Sequence, residues 1–179
     1  MSERPTAIAH RLVAEVVRPG NLVIDATLGN GHDTIFLARL VGIHGQVLGF
    51  DVQAEAVTAT QDRLQDAGVL SRAKLFTQSH SHLLQYVERE TAAAVMFNLG
   101  YLPGGDHSLI TEAAETLDAL EQATLALKPG GILTIICYPG HAGGDSEATA
   151  VMNWIKGRGG EIFTQTLGKA PFLATWHAR

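Results

Sequence analysis

Apolar side chains recur along this chain in two alternating rhythms, one helical and one suited to short buried strands. Over residues 7–17, Ile8, Leu12, Val13, Val16 and Val17 fall at helical spacing. Pro19-Gly20 stops that helix, and Leu22, Val23 and Ile24 follow as a short buried strand. Residues 33–41 predict a helix with Ile35, Phe36, Leu37 and Leu40 turned inward. Residues 46–50 predict a second strand ending at Asp51, and 54–67 a helix closed by Gly68. A third strand is expected over 73–77, a short helix near 83–87, and a fourth strand over 92–97 that runs into an irregular loop over 98–106. A long amphipathic helix over 111–127 is broken by Lys128-Pro129-Gly130-Gly131, ahead of a fifth strand at 132–137. A helix at 146–155 follows, and residues 161–167 and 172–176 predict two last strands, paired as a hairpin around 168–171.

Strands separated by helices imply βαβ units. The expected fold is therefore α/β: a doubly wound, mostly parallel, seven-stranded sheet with helices on both faces. No linker, repeat or low-complexity stretch interrupts the pattern, and 179 residues suit one domain over 1–179. Ligands in such sheets bind beyond the carboxyl ends of the strands, where the strand order reverses. The polar, glycine-rich segments 27–32, 51–53, 78–82, 98–106 and 138–145 all follow strand ends. They are expected to gather on one rim.

Composition narrows the function only a little. Apolar residues make up 46% of the chain and charged residues 17%, enough for a substantial core. Cys137 stands alone, so there is no internal disulfide framework, and a reducing compartment is expected. No apolar run approaches the roughly 18 residues that span a bilayer, and no signal peptide opens the sequence, so the expectation is a cytoplasmic protein with no membrane partner. The net charge of -5 argues against broad, non-specific nucleic-acid binding, which depends on neutralising phosphates. It leaves room for a local basic patch: Arg11 and Arg18 share a helix face, and Lys156, Arg158 and Lys169 lie near the C-terminus. The eight histidines, His80 and His82 among them, match no common zinc spacing, and no metal is expected.

The most informative segment is Asp25-Ala26-Thr27-Leu28-Gly29-Asn30-Gly31-His32-Asp33-Thr34, which joins a buried strand to a helix. Gly29 and Gly31 let the backbone turn sharply and approach a ligand closely. The helix start offers free N–H groups that favour an anionic ligand group such as a carboxylate. Asp51, at the tip of the next strand, can accept hydrogen bonds from both hydroxyls of a ribose. A dinucleotide fingerprint would need glycine or alanine at position 34, where Thr34 stands, and this disfavours a nicotinamide oxidoreductase.

The stretches D-A-T-L-G-N-G-H-D-T and G-F-D-V-Q, with L-K-P-G-G before the fifth strand, resemble the motifs of class I methyltransferases. Thr27 departs from the pattern, standing where many such enzymes carry their first glycine. More specifically, T-L-G-N-G-H-D-T, F-D-V-Q, S-H, F-N-L-G-Y-L-P-G-G-D and Y-P-G-H-A-G-G resemble the MnmM/YtqB-like family, once labelled putative rRNA methylases. The resemblance runs from the first helix to about residue 150. It implies a Rossmann-like domain using S-adenosyl-L-methionine to methylate the 5-aminomethyl group of a modified wobble uridine in tRNA. By motif position, Asn30, His32 and Asp33 would surround the amino-acid end of the cofactor, beside Asp25, Gly29 and Gly31. Asp51 would take the ribose hydroxyls with Gln53 beside it, and Ser79 and His80 would flank the adenine edge.

Asn98-Leu99-Gly100-Tyr101 stands where amino-group methyltransferases carry an Asn/Asp-Pro-Pro-aromatic motif, with Leu99-Gly100 replacing the prolines. Asn98 could fix the direction of an amine lone pair, and Tyr101 could stack on a base. An alkylamine is mostly protonated near neutrality, so a proton must leave before attack. Asp106, His107 and His141 are the candidates, His141 sitting in a glycine-rich loop expected to close over the substrate. Three alternatives stay open: rRNA methylation, methylation of a small molecule, and a protein that holds the cofactor without catalysis. With so few cations in one small domain, a homodimer could assemble the RNA surface.

Overall fold

A computed structural model describes residues 3–100, 113–140, 144–163 and 170–179. In chain order the elements are α1 (Pro5–Val16), β1 (Leu22–Asp25), α2 (His32–Val41), β2 (Gln46–Asp51), α3 (Ala54–Asp66), β3 (Ala73–Thr77), β4 (Ala92–Leu99), α4 (Ala113–Ala126), β5 (Leu127–Cys137), α5 (Gly144–Gly157), β6 (Glu161–Phe163) and β7 (Phe172–His177). Two 3-10 segments, Leu70–Arg72 and His80–Gln85, flank β3. Among the described residues the strands form one sheet of order β3-β2-β1-β4-β5-β7-β6. The first five are parallel, and β7 runs antiparallel between β5 and β6. This is the Rossmann-like, doubly wound arrangement expected of a class I methyltransferase fold.

Alternation along the strands explains the two faces. Leu133, Ile135 and Cys137 point to one core cluster with Phe50, Phe97 and the α4 residues Leu120 and Ala123. Ile132 and Ile136 point to the other, with Ala9 and Val13 of α1 and Leu37 and Val41 of α2. A strand buried on both sides needs apolar residues at successive positions, which is why Ala92-Ala93-Ala94-Val95-Met96-Phe97 reads as a continuous run. The order reverses between β1 and β4, so the carboxyl ends of β1, β2, β4 and β5 lie along one rim.

Several boundaries differ from the sequence expectation. Lys128-Pro129-Gly130-Gly131 does not separate α4 from β5 but lies inside β5. Leu127 pairs with Ala92, whereas Ile132 pairs with Ala94, so the intervening residues bulge out of the ladder. A bulge tolerates Pro129, which has no N–H to donate, and Gly130 adopts φ 77° there. The bulge is tied down by Gly130 N–H to Ala178 O and Ala178 N–H to Gly131 O, each 2.9 Å. The short helix expected at 83–87 is the 3-10 segment His80–Gln85, begun by Ser79, whose hydroxyl accepts from Ser81 N–H. Asn98 and Leu99 belong to β4, not to the loop beyond it. Residues 161–163 form β6, and the remainder of that expected strand, like the first half of the expected hairpin turn, lies outside the described residues. Among the described residues no helix is long and apolar enough to cross a membrane.

Candidate active site

The loop between β1 and α2 is held from below. Asp25 ends β1 almost completely buried and accepts from the Thr34 hydroxyl at 2.6 Å and from Thr27 N–H at 3.2 Å. Burial, with the nearby charge of Asp33, pushes its carboxyl up to about 7 against the pull of those two bonds. Gly31 caps α2 at φ 77°, and a Cβ there would stand 2.8 Å from Thr60 Oγ1 and 3.0 Å from Thr60 Cα. It lets α3 pack against the loop. Neither Asp25 nor Gly31 lines the cleft, although both were expected to face a cofactor. Their place is beneath it.

The upper side of the loop faces Asp51 at the tip of β2. Gly29 N–H donates to Asp51 Oδ2 and Gln53 N–H to Asp51 Oδ1, both at 3.0 Å. Each oxygen keeps a further lone pair, because an ionised carboxylate accepts at about four positions. Two backbone donors thus fix the carboxylate without saturating it.

Around this loop opens a cleft of about 1060 Å³. Of the residues singled out from the sequence, Gly29, Asn30, His32, Asp33, Asp51, Gln53, Ser79, His80 and Asn98 line it. Tyr101 and His141 lie outside the described residues, as do Asp106 and His107. His80 is a buried polar side chain in the wall. Its Nδ1 sits 3.0 Å from Ala26 O, and its ring lies edge-on to Phe97. A carbonyl only accepts, so Nδ1 carries the proton and Nε2 is a bare lone pair. That lone pair is buried without a partner. Burial holds His80 below the usual histidine range and keeps it neutral. Ser79 donates to Glu115 of α4, which also lines the cleft.

At the β4 end, Asn98 N–H donates to Thr27 Oγ1 at 2.7 Å. Its side-chain Nδ2 lies 3.4 Å from Asp33 Oδ2, and the other oxygen of Asp33 lies 2.6 Å from His10 Nε2. Tyr138, beyond β5, lies near Asn98, and burial and the Asp33 charge move its hydroxyl above the usual tyrosine range against the pull of Asn98. The sequence reading missed His10, Glu115, Arg4 and Thr6 as cleft residues, and it placed Thr27 and Tyr138 in rim segments without giving either a role. A signal existed in α1: Thr6 and His10 continue the stripe of Val13 and Val17, putting polar residues at the end of an apolar face. Among the described residues, no group of three or more His, Cys, Asp or Glu is placed to hold a metal ion.

The geometry can be set beside known proteins. The family described as "Putative rRNA methylase" matches residues 47–164. The chain is similar to the "tRNA (mnm(5)s(2)U34)-methyltransferase, chloroplastic" of Arabidopsis thaliana, 40% identical over 159 residues, 83% of this chain and 58% of that protein. Among solved structures it is similar to a "putative rRNA-methylase" of Clostridium thermocellum, with TM-score 0.92, 36% identity, and coverage of 98% of this chain and 97% of that one. It is also similar to a "putative methyltransferase" of Streptococcus mutans in complex with SAH, with TM-score 0.87, 34% identity, and coverage of 98% of each chain. The chain spans about half the length of the curated relatives it matches, 58% in the Arabidopsis case, and nearly all of both bacterial structures.

Proposed function

The chain belongs to the family described as "Putative rRNA methylase", and from that premise we propose that it transfers a methyl group from S-adenosyl-L-methionine to the 5-aminomethyl nitrogen of a modified wobble uridine in tRNA. The substrate part of the reading is supported by the Arabidopsis relative's name, and the cofactor part by the SAH bound to the Streptococcus mutans protein. The observation that carries it is one cleft with a diol acceptor on one wall and an amine holder on another: Asp51 at the tip of β2, and Asn98 backed by Asp33 at the tip of β4.

The residues present fit the cofactor. Asp51 keeps lone pairs for two ribose hydroxyls, and the bare, buried Nε2 of His80 calls for a donor such as an amine or hydroxyl. Gly29, Asn30, His32 and Asp33 would hold its amino-acid end, Gln53 and Ser79 its nucleoside, with Asp25 and Gly31 supporting the loop. Bound there, the cofactor supplies a methyl group on a positively charged sulfur. Asn98 orients the amine through its side-chain amide, and orientation of this kind supplies much of the acceleration in a two-reactant transfer. Tyr101 keeps its proposed role of stacking on the base, and His141 stays a candidate proton acceptor from the segment after β5.

One observation favours a smaller substrate. Among the described residues that line the cleft, Arg4 is the one arginine or lysine, whereas RNA binding normally neutralises several phosphates. A homodimer in the cytoplasm, widening the cationic surface, keeps tRNA as the substrate. The deciding experiment is transfer of labelled methyl to bulk tRNA from a strain lacking this activity, followed by nucleoside mass analysis and light scattering. One added methyl on 5-aminomethyl-uridine species supports the reading. Cofactor binding with no transfer to tRNA moves the substrate to small amines.

A further inference from the structure

We infer that His10 of α1, its ring held by Asp33 and Phe36, takes the proton from the substrate ammonium before methyl transfer; this rests on the methyltransferase reading above. His10 stacks on Phe36 with centroids 3.8 Å apart and ring planes 2° from parallel, which fixes the imidazole plane. Its Nε2 lies 2.6 Å from Asp33 Oδ1, and its side chain is 30% exposed in the wall of the cleft. A carboxylate only accepts, so the imidazole donates through Nε2 and leaves its lone pair on Nδ1. A carboxylate that orients one ring nitrogen and stabilises the charge formed when the other takes a proton is the working part of a histidine general base.

The same carboxylate ties this ring to the amine site. Asp33 Oδ2 faces Asn98 Nδ2 at 3.4 Å, so His10 and the residue that orients the amine flank one buried anion. Among the described residues, the other titratable and charged groups that line this cleft suit the role less well. Burial and Asp33 raise the Tyr138 hydroxyl and keep it protonated. His32 is exposed on α2, Asp25 lies beneath the loop, and Arg4, on the His10 side of the cleft, is a cation. His80, Asp51 and Glu115 belong to the wall formed by β2, the His80–Gln85 segment and α4, with His80 Nδ1 committed to Ala26 O.

The step balances. The substrate ammonium gives one N–H proton to His10 Nδ1, forming an imidazolium beside the Asp33 carboxylate and leaving a neutral amine. The amine lone pair then forms the N–C bond while the C–S electron pair stays on sulfur, and the positive charge passes to the methylated nitrogen. No oxidant, metal or second base is needed.

Two measurements test this. In the free protein at mildly alkaline pH, nitrogen NMR of the imidazoles, with His10 assigned by its loss in His10→Gln, is expected to show the Nε2-protonated tautomer. The Nδ1-protonated tautomer would overturn the proposal without touching the wider reading. In single-turnover transfer to tRNA, His10→Gln and His10→Ala are expected to lose about 100-fold in rate with SAH affinity kept, the usual scale of general acid–base catalysis. Added imidazole should restore much of the His10→Ala loss, in proportion to its neutral form. An unchanged rate, a loss of SAH affinity equal to the loss of rate, or no rescue overturns the proposal. No transfer by the unaltered protein overturns the methyltransferase reading, and this inference falls with it.

Discussion

Thr27 Oγ1 accepts the backbone N–H of Asn98 at 2.7 Å, joining the loop after β1 to the tip of β4 across 71 residues of chain. Thr27 N–H in turn donates to Asp25, so the tip of β4 is anchored to the floor of the loop between β1 and α2. Threonine at this position, where related enzymes often have glycine, therefore carries a bond that glycine could not make. Thr27→Val keeps the shape and strands the Asn98 N–H. A part-buried donor left without a partner costs about 1–3 kcal/mol. Urea denaturation should show that loss, with methyl transfer reduced more than SAH affinity, while Thr27→Ser should restore both. Equal stability of Thr27→Val and the parent would remove the anchor role.

Gly31 offers a sharper test of the loop. Its φ of 77° suits glycine, and a Cβ would press on Thr60 of α3 at 2.8 Å from Oγ1 and 3.0 Å from the backbone Cα. The hydroxyl can rotate away; the backbone of α3 cannot. Left-handed geometry costs a side-chain-bearing residue roughly 1–2 kcal/mol, and overpacking adds about 1–3. Gly31→Ala should therefore lose a few kcal/mol by chemical denaturation and bind SAH more weakly. A stable variant with full SAH affinity would show that the loop can shift freely against α3.

The loop and most of the sheet were legible because both rest on local rules. Apolar runs at β1, β2 and β4, and glycines at Gly29 and Gly31, mark a strand–turn–helix unit without help from the rest of the chain. The bulge at Lys128–Gly131 was not legible, because Pro-Gly-Gly reads as a break, and only pairing of Gly130 and Gly131 with Ala178 makes it part of a strand. His10 was hidden for a similar reason. A histidine on an amphipathic helix looks like ordinary surface until α2 brings Asp33 and Phe36 against it, 23 residues on in the case of Asp33.

Asp25 makes stability fall as pH rises. Its carboxyl is raised from 3.8 to about 7 in the fold, first by burial and then by the Asp33 charge. Between those values the folded chain binds more protons than the unfolded chain, so the slope of unfolding free energy with pH is negative. The contribution is fully present below 3.8 and lost as pH rises through about 7. Its size is on the order of 4 kcal/mol. Asp25→Asn keeps an acceptor for Thr27 N–H and removes the titration. Relative to the parent, this variant should gain stability across that window, as urea midpoints at several pH values would show. A constant difference between the two curves would mean that Asp25 does not titrate there.

His80 separates holding the fold from holding a ligand. Asparagine can place an N–H near the Nδ1 position and keep the bond to Ala26 O, but it has nothing at the Nε2 position. His80→Asn should therefore leave most of the stability in place and weaken SAH binding about tenfold, the scale of one net hydrogen bond. Calorimetric titration beside a urea curve reads both. Unchanged SAH affinity would mean that the orphaned Nε2 meets water, not the ligand.

Asn98→Ala asks whether the cleft catalyses or only binds. The side chain touches Asp33 at 3.4 Å, whereas its contact with Thr27 runs through the backbone and survives truncation. Asp33 loses that contact but keeps its bond to His10, and the loop floor, Asp51 and His80 are untouched by the change, so SAH affinity should hold. On the proposed role what goes is the amide that would direct the amine, and a misdirected lone pair costs about 100-fold in rate. A protein that merely stores the cofactor would show no transfer before or after the substitution. An enzyme whose amine is directed elsewhere would lose nothing. Single-turnover rates with tRNA, measured beside SAH titrations on the same preparations, distinguish all three: lost transfer with retained binding is the result that places Asn98 at the reacting nitrogen.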